Sequence, residues 1–508
     1  MESYCGKRIW VGRRGTVLQE TKYRTIYQAR KGELQSLRRM AKDDPWKPIY
    51  HIHPPYGLMN DPNGLSYFNG YYHVFYQWYP FGAIHGMKHW AHVRSKDLVH
   101  WERMPVALVP TEWYESHGAF SGTALEKDGQ LHLYYTGNVK FDEANRSANQ
   151  CLAIMDPAFR IHKYKRNPLI KGTPKGYTGH VRDPKVFKKD GLFYMFLGAQ
   201  RNDLTGTLLV YESQDAIGWE FKGELQVEGW SKGRMWECPD FFWLNGKDVL
   251  ILSLQGVEKN EHNYHNVYNV IYLVGELDLA RLSFKVDYCR ELDKGFDFYA
   301  PQTFADPQGR RVLFAWAGSG EVAYPTDPHG WAHCLTLPRE LILDGTKLKQ
   351  KPIGELVRLR EQGLTVAGQL EKGEKAVING DDAFELNVRF TEIAADRFGI
   401  RFCQSDREEV TLLFDKRKAV VTLDRSQCAH RFGEQFGTVR SEELPIGDDV
   451  SVRIFVDRSV VEIFLQDGEV AFTSRVFPLG ESRGITLFAD GKLDFHVEKY
   501  ALARGIDG

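Results

Sequence analysis

The chain has 508 residues, which suits two domains rather than one and is ample for a large core. A net charge of −1 and a pI near 7.0 give no global reason to expect nucleic acid or an anionic membrane as partner. Seven cysteines, at 5, 151, 238, 289, 334, 403 and 428, are odd in number and scattered, with no CxxC pair, so neither a disulfide framework nor structural zinc is indicated.

The opening, MESYCGKRIWVGRRGTV, has no apolar core of signal-peptide length, and no run approaches a membrane span. The expectation is a reducing, cytoplasmic location. In residues 21–43, Leu34, Leu37 and Met40 recur at helical spacing, and Asp43-Asp44-Pro45 stops the segment. This predicts a short surface helix within an N-terminal extension, 1–45.

From residue 46 the pattern becomes one of hairpins. The turns Asn69-Gly70, Asp128-Gly129, Asp190-Gly191, Asn245-Gly246 and Gln308-Gly309 each lie between apolar, strand-like runs. Their glycines fall roughly 55 to 63 residues apart, a spacing typical of blades or arrays. SKDLVHW (95–101) and SQDAIGW (213–219) echo each other after the first and third hairpins, as outer hairpins of four-stranded blades would. Five turns imply a five-bladed β-propeller over 46–352.

Just upstream of each turn stands a polar residue in similar register. Asp61 is nine residues before its glycine, Ser121 eight, Asp183 eight, Glu237 nine and Tyr299 ten. In a propeller such positions converge on one axial pocket. Asp, Asn and Gly near strand starts also serve simply as turn formers. Three carboxylates in register, each beside a proline (Asp61-Pro62, Asp183-Pro184, Glu237-Cys238-Pro239), favour a shared site.

After the linker KPIGELVRLREQGL come short strand-like segments separated by polar turns every 8 to 12 residues or so. This predicts a β-sandwich over 353–508 and an all-β protein overall. Asp457-Arg458-Ser459 and Glu462 read there as ordinary solvated faces and turns.

Paired carboxylates at a sugar-sized pocket are the apparatus of glycoside hydrolysis. Glu237, among Met235, Trp236, Phe241 and Phe242, has the apolar setting that raises a carboxyl from about 4.3 toward roughly 6, as an acid requires. Asp61, among Asn60, Asn63 and Gly64, has neighbours that would keep a nucleophile ionised. Arg182 would hold Asp183 charged.

MNDPNG (59–64), FYQ (75–77), FSG (120–122), RDP (182–184), ECP (237–239) and GFDFYAPQ (295–302) occur in this order. The set resembles glycoside hydrolase family 32, the invertases and other β-fructofuranosidases, over nearly the whole chain. Within the family the likeness is closest to the bacterial sucrose-6-phosphate hydrolases. The resemblance implies a retaining double displacement on sucrose or sucrose 6-phosphate. Asp61 would be the nucleophile, Glu237 the acid/base and Asp183 the transition-state stabiliser. It further implies that Asn60, Gln77, Trp90, Phe120, Ser121, Arg182 and Tyr299 line the fructose site, with Trp316 at its rim. Where many relatives carry a Trp, this chain has His85, which leaves room for an anionic group. His85, Lys88 and His89 are therefore expected on the glucosyl side, facing the phosphate.

The histidines crowded between 51 and 100 include HxH and HxxH spacings, but the reaction needs no metal and no third ligand stands out, so no metal or cofactor is expected. Walker and dinucleotide motifs are absent. Three other readings stand beside the first. They are a fructosyltransferase, another propeller glycosidase of arabinanase or xylosidase type, and a non-catalytic sugar-binding propeller.

Overall fold

The computed structural model describes residues 22–142, 145–261 and 263–507. The opening segment and Cys5 lie outside the described residues. Strands dominate. The expected helix runs over Glu33–Lys42, starting after Gly32 (φ +80°), and its Leu34 and Leu37 pack on the first sheet's core.

Residues 57–352 form five sheets, each mainly an antiparallel meander. Their lead strands are Gly57–Phe68, Ala119–Lys127, Tyr177–Lys189, Met235–Leu244 and Tyr299–Ala305. Each lead strand neighbours the next, and the fifth neighbours the first, so the five make a closed cycle. A late strand, Trp331–Ala332, pairs in parallel with Gly57 and Leu58 and ties the end of this half to its beginning. Apolar side chains fill the seams between sheets. Phe187 and Phe196 of the third sheet, for example, meet Phe241 and Leu250 of the fourth.

The turns explain the regularity. Asn69-Gly70, Asp128-Gly129, Asp190-Gly191 and Asn245-Gly246 all have positive φ at both positions, the type I′ form whose twist suits a hairpin. The fifth turn differs. Only Gly309 is left-handed there (φ +79°), and Ala305 pairs with Arg311 across a wider loop. Gln tolerates left-handed backbone poorly, and the Asp306 carboxylate holds the loop by accepting the Gln308 and Arg310 N–H groups at 3.0 and 2.8 Å. The two echo motifs form matching turns. Asp97 accepts from Val99 and His100, and Asp215 accepts from Ile217 and Gly218.

Residues 360–502 form two six-stranded antiparallel sheets with a continuous apolar core that includes Phe390, Phe398, Phe414, Ile454 and Leu487. The reading of Asp457, Ser459 and Glu462 as solvated is overturned, because all three are fully buried against the first half. Asp457 accepts from the Ile49, Tyr50 and His51 N–H groups. The His51 ring bridges Asp457 and Glu462 at 2.9 and 3.1 Å. Burial opposes its charge, but the two carboxylates outweigh burial and hold the imidazole above its ordinary value. Glu462 also accepts two bonds from Arg339, at 2.9 and 2.6 Å, and Arg339 reaches Asp293 at 2.9 Å. These charges are buried because each half supplies the other's counter-ions.

Candidate active site

The lead strands share one irregularity. In each, two residues face one on the neighbouring strand: Asn60 and Asp61 against Gln77, Phe120 and Ser121 against Thr136, Asp183 and Pro184 against Leu197, Cys238 and Pro239 against Leu252, and Ala300 and Pro301 against Ala315. These are β-bulges, which re-aim side chains and accommodate a proline that cannot donate to the ladder. Asp183, Cys238 and Ala300 take left-handed φ of +66°, +45° and +49° at the bulge, a strained state for non-glycine residues. Gly198 lets the third and fourth sheets close on each other; a Cβ there would lie 2.2 Å from the Trp236 carbonyl oxygen.

The bulges open onto one cavity of about 420 Å³, lined by Asp61, Asp183 and Glu237 together with Asn60, Gln77, His85, Phe120, Arg182, Tyr299 and Trp316. Asp61 is ringed by donors. Asn60 Nδ2 donates to Oδ1 at 3.1 Å, while Ser121 Oγ and Gln77 Nε2 donate to Oδ2 at 2.5 and 3.3 Å. Glu237 is clamped. Arg182 donates to Oε1 through Nε and Nη2 at 3.0 and 2.6 Å, and the Tyr299 hydroxyl and Gln255 Nε2 each donate to Oε2 at 2.6 Å. Asp183 accepts the Cys238 N–H at 3.0 Å, and the Cys238 thiol lies 3.6 Å from Asp183 Oδ2 and 3.8 Å from Asp61 Oδ2.

The electrostatics depart from the sequence reading. Burial drives Asp183 up to about 7, with Glu237 and Asp61 adding repulsion that Arg182 only partly offsets. Burial also raises Asp61 against the pull of Ser121, Asn60 and Lys88. Glu237 moves the other way. Burial alone would raise it, but Arg182, Tyr299 and Gln255 outweigh burial and hold it below its ordinary range. The Arg182 guanidinium is directed at Glu237 and lies 4.0 Å from Asp183, so the two carboxyls shift in opposite directions and Asp183 is the one that favours a proton.

Two expected lining residues lie outside the cavity. Trp90 is fully buried beneath it and donates through Nε1 to the Phe120 carbonyl at 3.0 Å, so it supports the wall. Ser121 is fully buried behind Asp61. His89 is not on the rim either. Strand alternation turns it inward, where its ring faces the Met87 carbonyl and accepts the Ile26 N–H. His85 and Lys88 do line the cavity, and the His85 ring sits edge-on to Trp316 at 6.1 Å. His85 is exposed at the cavity mouth, and the protein atoms around it and the nearby Lys88 both act to lower its imidazole below its ordinary value.

The reading missed Arg146, Cys238, Gln255, Tyr268, Gly320 and Glu321, which also line the cavity. Gln255 had a weaker signal: like Gln77 it stands toward the far end of the second strand of its hairpin, nine residues after the turn glycine where Gln77 is seven. Among the described residues, no group of three or more His, Cys, Asp or Glu side chains is placed to hold a metal. Asn60 Oδ1, Lys88 Nζ and Trp316 Nε1, all at this cavity, are buried with no hydrogen-bond partner in the protein. Such groups call for ligand atoms that donate and accept, as sugar hydroxyls do.

Comparison with known proteins agrees. The model for the glycosyl hydrolases family 32 N-terminal domain matches residues 51–352, and that for the family's C-terminal region matches 355–502. The chain is 40% identical over 479 residues to a sucrose-6-phosphate hydrolase of Bacillus subtilis (strain 168), covering 92% of this chain and 97% of that one. Its identity to the sucrose-6-phosphate hydrolase of Staphylococcus xylosus is 38%, over 95% of this chain and 98% of the other. The structure of sucrose-6-phosphate hydrolase from Lactobacillus gasseri superposes with a TM-score of 0.89 at 33% identity, covering 96% and 99% of the two chains. A Bombyx mori β-fructofuranosidase of the family, solved as a mutant with sucrose, gives 0.81 at 33% identity, covering 94% and 98%. With both family models matched across most of its length, the chain belongs to glycosyl hydrolase family 32.

Proposed function

We propose that this protein is a β-fructofuranosidase of the sucrose-6-phosphate hydrolase type, releasing fructose from sucrose 6-phosphate and sucrose with retention of configuration. The observation that carries this is the meeting of three carboxylates, at or beside bulges of three separate sheets, around one cavity whose free polar atoms suit sugar hydroxyls. The names of the relatives support the substrate class.

Asp61, held by three donors, attacks the anomeric carbon of the fructosyl group. Glu237 protonates the leaving oxygen and then deprotonates the water that releases fructose. Asp183 accepts fructosyl hydroxyls and stabilises the positive charge that develops on the sugar. Those hydroxyls favour ionised Asp183, and the added negative charge raises Glu237 into its acid role. Substrate thus moves the proton from Asp183 to Glu237.

In this reading the five-sheet cycle is a five-bladed propeller spanning 46–352, and the two six-stranded sheets are a sandwich spanning 353–508. No helix among the described residues is long and apolar enough to cross a membrane. We place the protein in the cytoplasm, where phosphorylated sugars are found, acting on a small sugar without cofactor, nucleic acid or membrane partner.

The test is sugar analysis after incubation with sucrose and with sucrose 6-phosphate. Free fructose, with glucose or glucose 6-phosphate, is expected. Fructosyl oligomers at low sugar concentration would favour a fructosyltransferase, and no release from either substrate would defeat the proposal.

A further inference from the structure

Building on the proposed reaction, we infer that Arg146, with Lys140 beside it, seats the phosphate ester of the leaving sugar. The cavity is lined by three permanent or potential cations, Lys88, Arg146 and Arg182, and they are differently placed. Arg182 is fully engaged, with Nε and Nη2 on Glu237 and Nη1 2.9 Å from His180 Nδ1. Lys88 is buried and couples to Asp61, at the nucleophile's end where the fructosyl group sits. Arg146 is half-buried at the wall, and its guanidinium has no hydrogen bond or ion pair with the described residues.

The position of Arg146 fits the leaving group. Arg146 lines the same cavity as Arg182 and Glu237, the clamped pair whose carboxyl protonates the bridging oxygen. Burial and Arg182 disfavour the charge of Arg146, while Tyr23 and Glu237 favour it. Whatever lies beyond Glu237 in the cavity therefore faces the departing sugar. Arg146 also stands directly opposite Lys140 in the antiparallel pair Gln130–Lys140 and Arg146–Met155. Side chains directly opposite share a face, and like charges there are unfavourable. Lys140 has an aromatic contact, with its Nζ 5.6 Å from the Tyr23 ring centre, and no carboxylate partner among the described residues.

Two further features shape the place. At Gly179 a Cβ would lie 2.5 Å from Arg146 Cγ and 2.4 Å from its carbonyl oxygen, so only glycine lets the two strands approach there. His180 adds no charge, since burial, Arg182 and Arg146 depress it to about 3. The result is a pair of opposed cations, one on the cavity wall, whose repulsion a phosphate dianion would relieve. The loop with His85 offers a neutral imidazole instead, and neutral groups bind anions with roughly half the strength of charged ones.

The experiment measures kcat/KM for sucrose 6-phosphate and for sucrose on the same preparations of wild type, Arg146→Gln, Arg146→Lys, Lys140→Gln and His85→Gln. The ratio of the two values cancels any difference in folded fraction. Arg146→Gln should lower the ratio by roughly 10- to 100-fold, the range for losing a charge-assisted contact. Arg146→Lys should restore part of it, and Lys140→Gln should lower it less. Rising ionic strength should shrink the wild-type preference more than that of Arg146→Gln. A ratio unchanged in Arg146→Gln, or a loss found in His85→Gln instead, overturns the assignment while leaving the substrate intact. Equal values for both substrates in the wild type would defeat the phosphorylated substrate itself, and this assignment with it.

Discussion

Replacing Asp183 by Asn should destroy turnover and yet stabilise the fold, increasingly so as the pH rises. Asp183 is 5% exposed, shares the cavity with Asp61 and Glu237, and is held up to about 7 against an ordinary value of 3.8. At 1.36 kcal/mol per pKa unit, that difference amounts to roughly 4 kcal/mol of strain in the ionised folded state. Relaxation of the pocket makes this an upper figure. Asn keeps the size and shape and can still accept the Cys238 N–H, so removal of charge is the main change. Below the unfolded value near 4 the carboxyl is protonated in both states and contributes no difference. Between about 4 and about 7 the folded state binds the proton and the unfolded state does not, so wild-type stability falls as pH rises. Above about 7 the full penalty is present. The advantage of Asp183→Asn should therefore grow from acid to neutral pH and then level off. Scanning calorimetry of both proteins between about pH 5 and pH 8 measures this as a widening gap in Tm. A gap that is constant, or that narrows as the pH rises, would refute the placement of the proton on Asp183.

Other outcomes follow from the same geometry. Asp61→Ala and Glu237→Ala should each lower kcat by at least about 10²- to 10⁴-fold without unfolding the protein. A substrate with a good leaving group should restore the first step in Glu237→Ala but not in Asp61→Ala, and rescue of both would void the roles. Tyr299→Phe removes a donor that favours ionised Glu237, so the alkaline limb of the kcat/KM profile should move to higher pH; an acid shift would count against Glu237 as the acid. Arg339→Ala leaves Asp293 buried without its counter-ion and Glu462 with His51 alone, and should cost about 3–5 kcal/mol in urea unfolding, whereas a loss under 1 kcal/mol or so would place that network in water.

Much of the architecture was legible because it is local. Asn-Gly and Asp-Gly turns carry their own backbone preference, and four of them formed two-residue hairpins as read. The regular spacing of the turns then placed the polar positions upstream at one end of five sheets. The prolines beside Asp61, Asp183 and Glu237 were noticed as companions of the acids; Pro184 and Pro239 sit in the bulge itself, where the missing N–H is not needed, and Pro62 directly follows its bulge opposite Tyr76. Asp457 and Glu462 were misread for the opposite reason. Their partners, His51 and Arg339, lie more than a hundred residues away in sequence, and no alternation pattern shows that an outer strand face will be covered by another domain.

The protonation of the site was the least legible part, and Glu237 shows why. Its sequence neighbours are Met235, Trp236, Phe241 and Phe242, which suggested an apolar setting. On a strand, adjacent residues point to opposite faces, and the bulge at Cys238 and Pro239 shifts even that alternation by one. Trp236, Phe241 and Phe242 consequently pack into the seams between sheets. The carboxyl instead meets Arg182, Gln255 and Tyr299, from the third, fourth and fifth sheets. Its charge state depends on which carboxylate Arg182 faces. That choice follows from the closed ring of sheets, which brings the RDP and ECP bulges side by side, and it was invisible in either motif taken alone. In the proposed mechanism the same closure sets the reactivity: three acids share one cavity, one arginine reaches two of them, and a bound sugar redirects the proton.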